Sequence, residues 1–139
     1  MISVTVNEEA LTDAILYELI GMSKDWEAEN SCYGYRKNEK ADIEGNRVFL
    51  ARTEQSIAGY LFGHMERSEK SNSIMPTDTA FFEVEELYVK PQYRSAGIGK
   101  RLFTCAESAV AAETEFIMLS TATTNWRAIL HFYIEELDI

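Results

Sequence analysis

The sequence of 139 residues contains little cysteine, little proline and no long apolar run. With only two cysteines, Cys32 and Cys105, a disulfide framework is excluded, and a reducing, cytoplasmic setting fits. Nowhere do about 18 apolar residues follow one another, so no membrane span is predicted. The first 22 residues contain four acidic side chains and no uninterrupted apolar segment, so no signal peptide is expected.

Basic residues are also scarce: 13 Lys and Arg stand against 23 Asp and Glu, and the net charge is −10. Because nucleic-acid binding depends on neutralising phosphates, this balance argues against it, and it argues equally against an anionic membrane surface. The acidity suits a cationic small molecule or a basic peptide. The two cysteines and two histidines show no metal-ligand spacing, so no metal is expected.

The chain length and an apolar fraction of 46% predict one globular domain over residues 1–139. Hydrophobic periodicity predicts strands at 2–6, 47–52, 57–65, 80–89 and 116–120, and helices at 8–23, 98–113 and 125–136. Asn7 is the predicted N-cap of the first helix, and the polar stretch 24–46 is interpreted as helix followed by loop. This order predicts an α/β domain with a mixed, mostly antiparallel central sheet flanked by helices.

One short segment carries most of the chemical information. The strand that ends at Val89 is followed by a loop with two glycines, Gly97 and Gly99, and then by an amphipathic helix. The first N–H groups of such a helix have no intrahelical partner and lie at its positive end, which favours phosphate binding. Residues 90–101 contain four basic residues and no acidic one. A diphosphate is the simplest ligand for this segment.

Two common phosphate motifs do not fit, because Arg101 follows Gly99-Lys100 and Leu102 stands where a dinucleotide fingerprint has a small residue. The run Arg94-Ser95-Ala96-Gly97-Ile98-Gly99 instead resembles the Arg/Gln-x-x-Gly-x-Gly/Ala signature of the GCN5-related N-acetyltransferases, the GNAT family. Asn125-x-x-Ala128 followed by Phe132-Tyr133 is similar to that family's second conserved helix. The resemblance extends over nearly the whole chain in element order. It implies the GNAT fold and acetyl-CoA as the acetyl donor.

The same resemblance implies the cofactor contacts. Main-chain amides hold the CoA diphosphate, and the residues that supply them are Arg94, Ser95, Ala96, Gly97, Ile98, Gly99 and Lys100. The main chain of Leu87 and Val89 pairs with the pantetheine arm as an added strand would. Asn125 helps to fix that arm, although it is equally well placed to cap the last helix.

Acetyl transfer to an amine also requires a base, and strand 80–89 offers candidates. Glu83 and Glu85 lie two apart, so both side chains point to one face, just before the end implied to contact the cofactor. Glu86 points to the other face unless a bulge intervenes. Crowded carboxylates raise one another's pKa, which favours a base or a water relay. The alternative is a solvated strand face that carries charge to stay soluble.

The family pattern implies a tyrosine seven residues after the asparagine as general acid. That position is Phe132, which has no hydroxyl, and Tyr133 lies about 100° further round the helix. A helix bulge would bring Tyr133 into place as the acid, with His131 as the second candidate. The alternative for Tyr133 is that it packs against the core with its hydroxyl at the rim. The family's usual oxyanion donor is a main-chain N–H near Val89, a role without a side-chain signature.

The acceptor side is less defined. Trp26, Tyr33 and Tyr35 lie where the family usually builds its acceptor pocket, and they either hold a cation or are packing aromatics of a solvated helix. Family members normally continue past the last helix with one or two strands, whereas this sequence stops at Ile139. Either the chain is a truncated or partly ordered product, or a second copy supplies the missing strand in a homodimer.

The sequence thus predicts a cytoplasmic, acetyl-CoA-dependent N-acetyltransferase that works by direct attack in a ternary complex without a metal. The acceptor is a primary amine on a cationic small molecule or a protein. The alternative from another class is a CoA-binding module that senses or assembles without catalysing, and Phe132 together with the short C-terminus favours it.

Overall fold

The structure, a computed structural model, describes residues 3–29, 36–68, 78–114 and 116–119. The strands are β1 (Thr5–Glu9), β2 (Arg47–Arg52), β3 (Ile57–Arg67), β4 (Ala80–Val89) and β5 (Ile117–Leu119). The helices are α1 (Asp13–Glu29), α2 (Lys40–Ile43) and α3 (Ile98–Val110), with a 3₁₀ turn at Pro91–Tyr93. The strands form one sheet in sequence order, antiparallel except for the parallel pair β4–β5. The predicted mixed, mostly antiparallel sheet is confirmed. The predicted helix 125–136 lies outside the described residues, as does the C-terminal part of the chain in which further strands were expected to be absent.

Helices cover both faces of the sheet. On one face, Leu102 and Ala106 of α3 are buried against strand residues that include Val89. On the other face, Leu19 of α1 is buried in a second cluster with Tyr60 of β3. Each helix therefore buries the apolar stripe that its helical periodicity indicated. Within the described ranges, no helix combines the length and apolar character that crossing a bilayer requires.

The first strand runs further than predicted. Asn7 lies inside β1, so its predicted role as a helix N-cap is wrong. Glu8 and Glu9, which resembled the acidic first turn of a helix, instead form ion pairs with Arg47 and Arg52 of β2, at N–O distances of 2.8 and 2.7 Å. The strand conformation of this segment therefore depends on ion-pair partners about forty residues away in sequence, and a local pattern does not reveal such partners.

Helix α1 therefore starts later and also ends later than the predicted 8–23. At its start, Thr12 Oγ1 accepts a hydrogen bond from the N–H of Ile15 at 3.2 Å, as an N-cap side chain does. At its end the helix continues to Glu29. Trp26 in the last turns is only 5% exposed and stacks on Tyr88 with ring centroids 5.0 Å apart. Trp26 is thus a packing aromatic.

A β-bulge interrupts the pairing of β3 with β4. Phe62 pairs with Glu86, but the next residue of β3, Gly63, pairs with Val84. Glu85 is therefore the extra residue on β4. A Cβ atom at Gly63 would overlap the carbonyl oxygen of Glu83. The close approach of the two strands at the bulge thus requires glycine at position 63.

The bulge reverses which side chains of β4 face α3. Before it, Phe82 and Val84 belong to the core under α3; after it, Leu87 and Val89 belong to the same core. Glu86 consequently faces the side of α1 and α2. The sequence predicted that Glu86 points to the other face from Glu83 and Glu85 unless a bulge intervenes, and the structure shows that a bulge does intervene.

We predict that Gly63→Ala destabilises the fold by about 1–3 kcal/mol, because the added methyl group forces β3 away from β4. Urea unfolding followed by circular dichroism measures the change. Gly21→Ala is the matched control: its Cβ meets no heavy atom within 4 Å, and alanine in a helix interior stabilises by about 0.5–1 kcal/mol. Equal stability of the two variants would contradict a glycine requirement at the bulge.

Candidate active site

The loop between β4 and α3 has an unusual backbone conformation. Ser95 and Gly97 both have positive φ angles, +65° and +78°. The left-handed region costs a residue with a Cβ about 1–2 kcal/mol, so Ser95 is held there by its surroundings. Gly97 is the residue before α3, and a Cβ on it would meet no heavy atom within 4 Å. The loop therefore presents open space directly beside the start of the helix.

Main-chain donors lie at the start of this helix. The N–H of Arg101 donates to the carbonyl of Gly97 at 3.0 Å, which is the first turn of the helical pattern. The N–H groups of Ile98, Gly99 and Lys100 precede that bond and so have no intrahelical acceptor. These three predicted cofactor residues are thus placed to bind an anion at the positive end of a 13-residue helix.

The first residue of the predicted loop behaves differently. The Arg94 N–H donates to the carbonyl of Pro91 at 3.3 Å, closing the 3₁₀ turn. Its guanidinium forms an ion pair with Glu29 at 2.9 Å, and its Nε donates to the carbonyl of Val89 at 2.8 Å. Ser95 and Ala96, which follow, are exposed. Arg94 therefore anchors the loop by side chain and main chain alike.

Among the described residues the outer edge of β4 is paired over only part of its length, and its unpaired part is called the open edge. β5 pairs with Phe82, Glu83 and Val84, and within the described residues no strand pairs with this edge beyond that point. The N–H of Lys90 donates inward to Ala58 of the β3 side at 2.9 Å. Because main-chain groups alternate along a strand, those of residues 87 and 89 point away from β3. The predicted cofactor residues Leu87 and Val89 thus present their main chain at the open edge.

Three carboxylates and a histidine gather beside the bulge. Glu83 and Glu85 share one face with His64 of β3, whose ring nitrogens lie 3.6 Å and 3.8 Å from their carboxylate oxygens. Glu66 Oε1 lies 2.9 Å from His64 Nε2. Asn46 Oδ1 lies 3.0 Å from His64 Nδ1, which fixes the orientation of the ring. The predicted pair of glutamates is therefore brought together around an imidazole.

This environment perturbs Glu85. Burial raises the pKa of the Glu85 carboxyl above its ordinary value of 4.5, and the nearby negative charge of Glu83 raises it further. His64 opposes the rise, and Glu66 adds to it. A carboxylate with a raised pKa is a stronger base toward an amine than an exposed one. Glu85 has this property as the bulged residue.

Glu86 is buried deeper, with 7% of its surface exposed. Its Oε2 accepts hydrogen bonds from the Tyr60 hydroxyl at 2.5 Å and from Asn38 Nδ2 at 2.6 Å. Asn38 precedes α2, and its own N–H donates to Ser23 Oγ of α1 at 2.8 Å. Glu86 therefore connects β4 to the segment between α1 and α2, and its carboxylate is satisfied by hydrogen bonds.

Sequence reasoning did not select His64. Its partners Glu83 and Glu85 come from the neighbouring strand, and only the register of β3 with β4 brings them together. Nε2 of His64 and carboxylate oxygens of Glu66 and Glu83 lie within 4.8 Å of one another, although such exposed groups are common without a metal. The spacing of histidine and cysteine along the chain does not reveal a cluster of this kind.

Several predicted residues lie outside the described part of the chain. Asn125, the predicted contact to the pantetheine arm, and Tyr133, the predicted acid, are both among them. Tyr33 and Tyr35, two of the aromatics assigned to the acceptor side, are also outside it.

Comparison with known proteins identifies the family. The model of the acetyltransferase (GNAT) family matches residues 14–137, so the chain belongs to this family. The protein is accordingly an acetyl-CoA-dependent N-acetyltransferase, since members of the family use acetyl-CoA as co-substrate. A comparison with curated proteins finds no match.

Solved structures show the same fold at low sequence identity. An aminoglycoside acetyltransferase from an uncultured soil metagenomic sample, in complex with sisomicin, is 18% identical with a TM-score of 0.61, covering 92% of this chain and 84% of that one. An integron cassette protein from V. cholerae is 17% identical with a TM-score of 0.63, covering 94% and 82%. A GNAT family acetyltransferase from Staphylococcus aureus is 16% identical with a TM-score of 0.59, covering 88% and 90%.

The raised pKa of Glu85 has a consequence for stability. A carboxyl whose pKa is higher in the folded state holds its proton longer there, so its contribution to stability falls as pH rises from 4.5 through the raised value. We expect Glu85→Gln to be more stable than the wild type at neutral pH, with the difference vanishing below about pH 4.

Thermal unfolding of both proteins across pH 4–8 measures this difference. The matched control is Glu54→Gln in the exposed turn between β2 and β3, which is expected to track the wild type at every pH. A Glu85→Gln variant that is less stable than the wild type at neutral pH would contradict the raised pKa.

Proposed function

We propose that this enzyme transfers the acetyl group of acetyl-CoA directly to a primary amine of a cationic small molecule, within a ternary complex. The observation that carries the proposal is the continuous path from the cofactor loop, along the open edge of β4, to the bulged Glu85. Glu85 lies two residues from Leu87, or about 7 Å along an extended strand. A donor bound along this edge would bring its thioester close to a perturbed carboxylate.

The cofactor contacts follow from the donors described above. The amides of Ile98, Gly99 and Lys100 would bind the diphosphate, with Ser95, Ala96 and Gly97 shaping the loop around it. The outward main-chain groups of Leu87 and Val89 would pair with the amides of the pantetheine arm. Because Arg94 Nε already donates to the Val89 carbonyl, the Val89 N–H is the better placed group for this pairing. Asn125 would hold the arm from the other side.

Glu85 would act as the base. Its carboxylate would accept a proton from the acceptor ammonium, directly or through one water, and the free amine would then attack the thioester carbonyl carbon. Glu83 is the second candidate on the same face and would serve as a relay. No covalent enzyme intermediate is needed: Cys105 is remote from this face, and burial raises the pKa of its thiol, so little thiolate forms.

The remaining steps need a hydrogen-bond donor and an acid. Attack converts the carbonyl oxygen to an oxyanion, which a main-chain N–H near Val89 would stabilise. Collapse of this intermediate would break the carbon–sulfur bond and release the CoA thiolate, to which Tyr133 would give its hydroxyl proton. The remaining extra proton on the amine nitrogen would return to the Tyr133 phenolate through water, and Glu85 would release its proton to solvent. The products are the N-acetylated amine and free CoA.

The acceptor class follows from charge and from relatives. Two further carboxylates, Glu66 and Glu83, lie near the proposed base Glu85 around His64, and the chain as a whole carries a net charge of −10. Two structural relatives are named aminoglycoside acetyltransferases. A protein amine is the alternative acceptor. Low cysteine content supports a cytoplasmic location, and a homodimer remains part of the proposal.

The first test concerns the cofactor loop. We predict that Gly97→Ala weakens CoA binding about tenfold in isothermal titration calorimetry, because the methyl group enters the open space and a charge-assisted hydrogen bond is lost. Gly45→Ala is the matched control: Gly45 also has a positive φ, +84°, and an open Cβ position, but it precedes β2. Both substitutions place an alanine at a positive φ angle and so carry the same conformational cost, and only the affinity for CoA is expected to differ between them. Equal CoA affinity would contradict the site.

The second test concerns the base. We predict that Glu85→Gln lowers kcat by about 10²–10⁴-fold while the CoA dissociation constant changes less than twofold, since general base catalysis contributes this much. Thiol release with amino sugars, polyamines and peptide amines as acceptors measures turnover, and Glu54→Gln serves as control. Tight CoA binding by the wild type without thiol release from any amine would favour the non-catalytic module instead.

A further inference from the structure

The end of α1 contacts the cofactor loop through one carboxylate. Glu29 Oε1 lies 2.9 Å from Arg94 Nη1, and Glu29 Oε2 accepts a hydrogen bond from Arg94 Nη2 at 3.2 Å. The same Oε2 accepts a hydrogen bond from the Tyr88 hydroxyl at 2.5 Å. Three donors from the end of β4 and the start of the loop thus converge on Glu29. Its side chain is only 20% exposed, so solvent weakens these bonds little.

The Arg94 side chain makes three kinds of contact in this arrangement. Its guanidinium forms a two-point pair with Glu29, its Nε donates to the Val89 carbonyl at 2.8 Å, and its Cζ lies 5.4 Å above the Tyr88 ring. Burial and the bond to Glu29 raise the pKa of the Tyr88 hydroxyl, which therefore stays protonated and a donor. The positive charge of Arg94 is paired with Glu29, and its side chain connects α1, β4 and the loop.

The conformation of the loop that follows depends on these contacts of Arg94. Ser95 occupies the left-handed region, which a residue with a Cβ keeps only when neighbouring contacts fix it. Arg94 is the residue directly before Ser95, and the contacts of its side chain reach α1 and β4 at once. Orientation of the three helix amides depends on the path that these residues take. Loosening Arg94 would therefore act on the diphosphate site without removing any group that touches it.

We propose that Glu29 is a positioning residue for the cofactor: by holding Arg94 in a two-point pair, it sets the loop conformation that acetyl-CoA requires. The proposal rests on the proposed function, since it concerns the same cofactor site. Glu29 touches neither the path along the open edge nor the carboxylates around His64. Its loss should therefore affect affinity for the donor and leave the chemical step unchanged.

The test is Glu29→Gln, which keeps the shape and an acceptor but removes the charge. The dissociation constant for CoA, measured by calorimetry, and the KM for acetyl-CoA are expected to rise about tenfold, as the loss of a charge-assisted hydrogen bond implies. kcat and the KM for the amine are expected to stay within about twofold of the wild type. A purely structural role for Glu29 would lower the unfolding midpoint without this selective rise in the KM for acetyl-CoA.

Two further variants make the result decisive. Glu8→Gln removes an equivalent two-point pair, with Arg47, on the far side of the sheet, and it should leave CoA affinity unchanged. Arg94→Lys keeps the charge but loses the planar fork, and combined with Glu29→Gln it should weaken CoA binding no more than either change alone. If Glu29→Gln does not fold, Arg94→Lys alone must show the rise in the CoA dissociation constant.

The possible failures are distinguishable. If the wild type binds CoA and Glu29→Gln binds it equally well, the positioning role is wrong and the proposed function stands. Additive effects of Glu29→Gln and Arg94→Lys would also overturn the positioning role. If the folded wild type shows no CoA binding, the proposed cofactor site fails, and the positioning role fails with it.

Discussion

The architecture of this site depends on one extra residue in β4. The sequence around it places three glutamates within four residues, between apolar residues that must face α3. Strict alternation would turn Glu86 into the core that contains Phe82 and Val84, where an unpaired carboxylate would cost several kcal/mol. The bulge at Glu85 moves Glu86 to the opposite face, where Tyr60 and Asn38 satisfy it. Gly63 makes the bulge sterically feasible.

The same irregularity organises the two halves of the active site. Among the described residues β5 pairs with β4 only as far as Val84, immediately before the bulge, so the open edge proposed to bind the cofactor begins beside Glu85. Glu85 has no residue opposite it on β3 because of the bulge, and its partial burial raises the pKa of its carboxyl, which favours the proposed role as a base. The edge proposed for the cofactor and the proposed base are therefore adjacent on β4, because the same bulge sets the position of both.

Sequence information was sufficient where neighbours along the chain decide the structure. The bounds of β4, the start of α3 and the loop between them follow from local signals: a proline, two glycines and an apolar stripe. It was insufficient where partners come from other strands. Asn7 matched a helix cap, yet Arg47 and Arg52 drew Glu8 and Glu9 into β1. His64 carried no signal, because its role near Glu85 depends entirely on strand register.

Charge along the chain is a poor guide to charge in the site for the same reason. Residues 90–101 contain four cations in sequence, but the fold commits Arg94 to Glu29, and Arg101 donates to the Val4 carbonyl at 2.9 Å. A diphosphate would then be recognised chiefly by main-chain N–H groups, whose direction is set by the loop and the helix. Binding of this kind depends on geometry more than on charge. That is why a carboxylate at the end of α1, which by charge alone would repel a phosphate, can favour its binding by holding the loop in place.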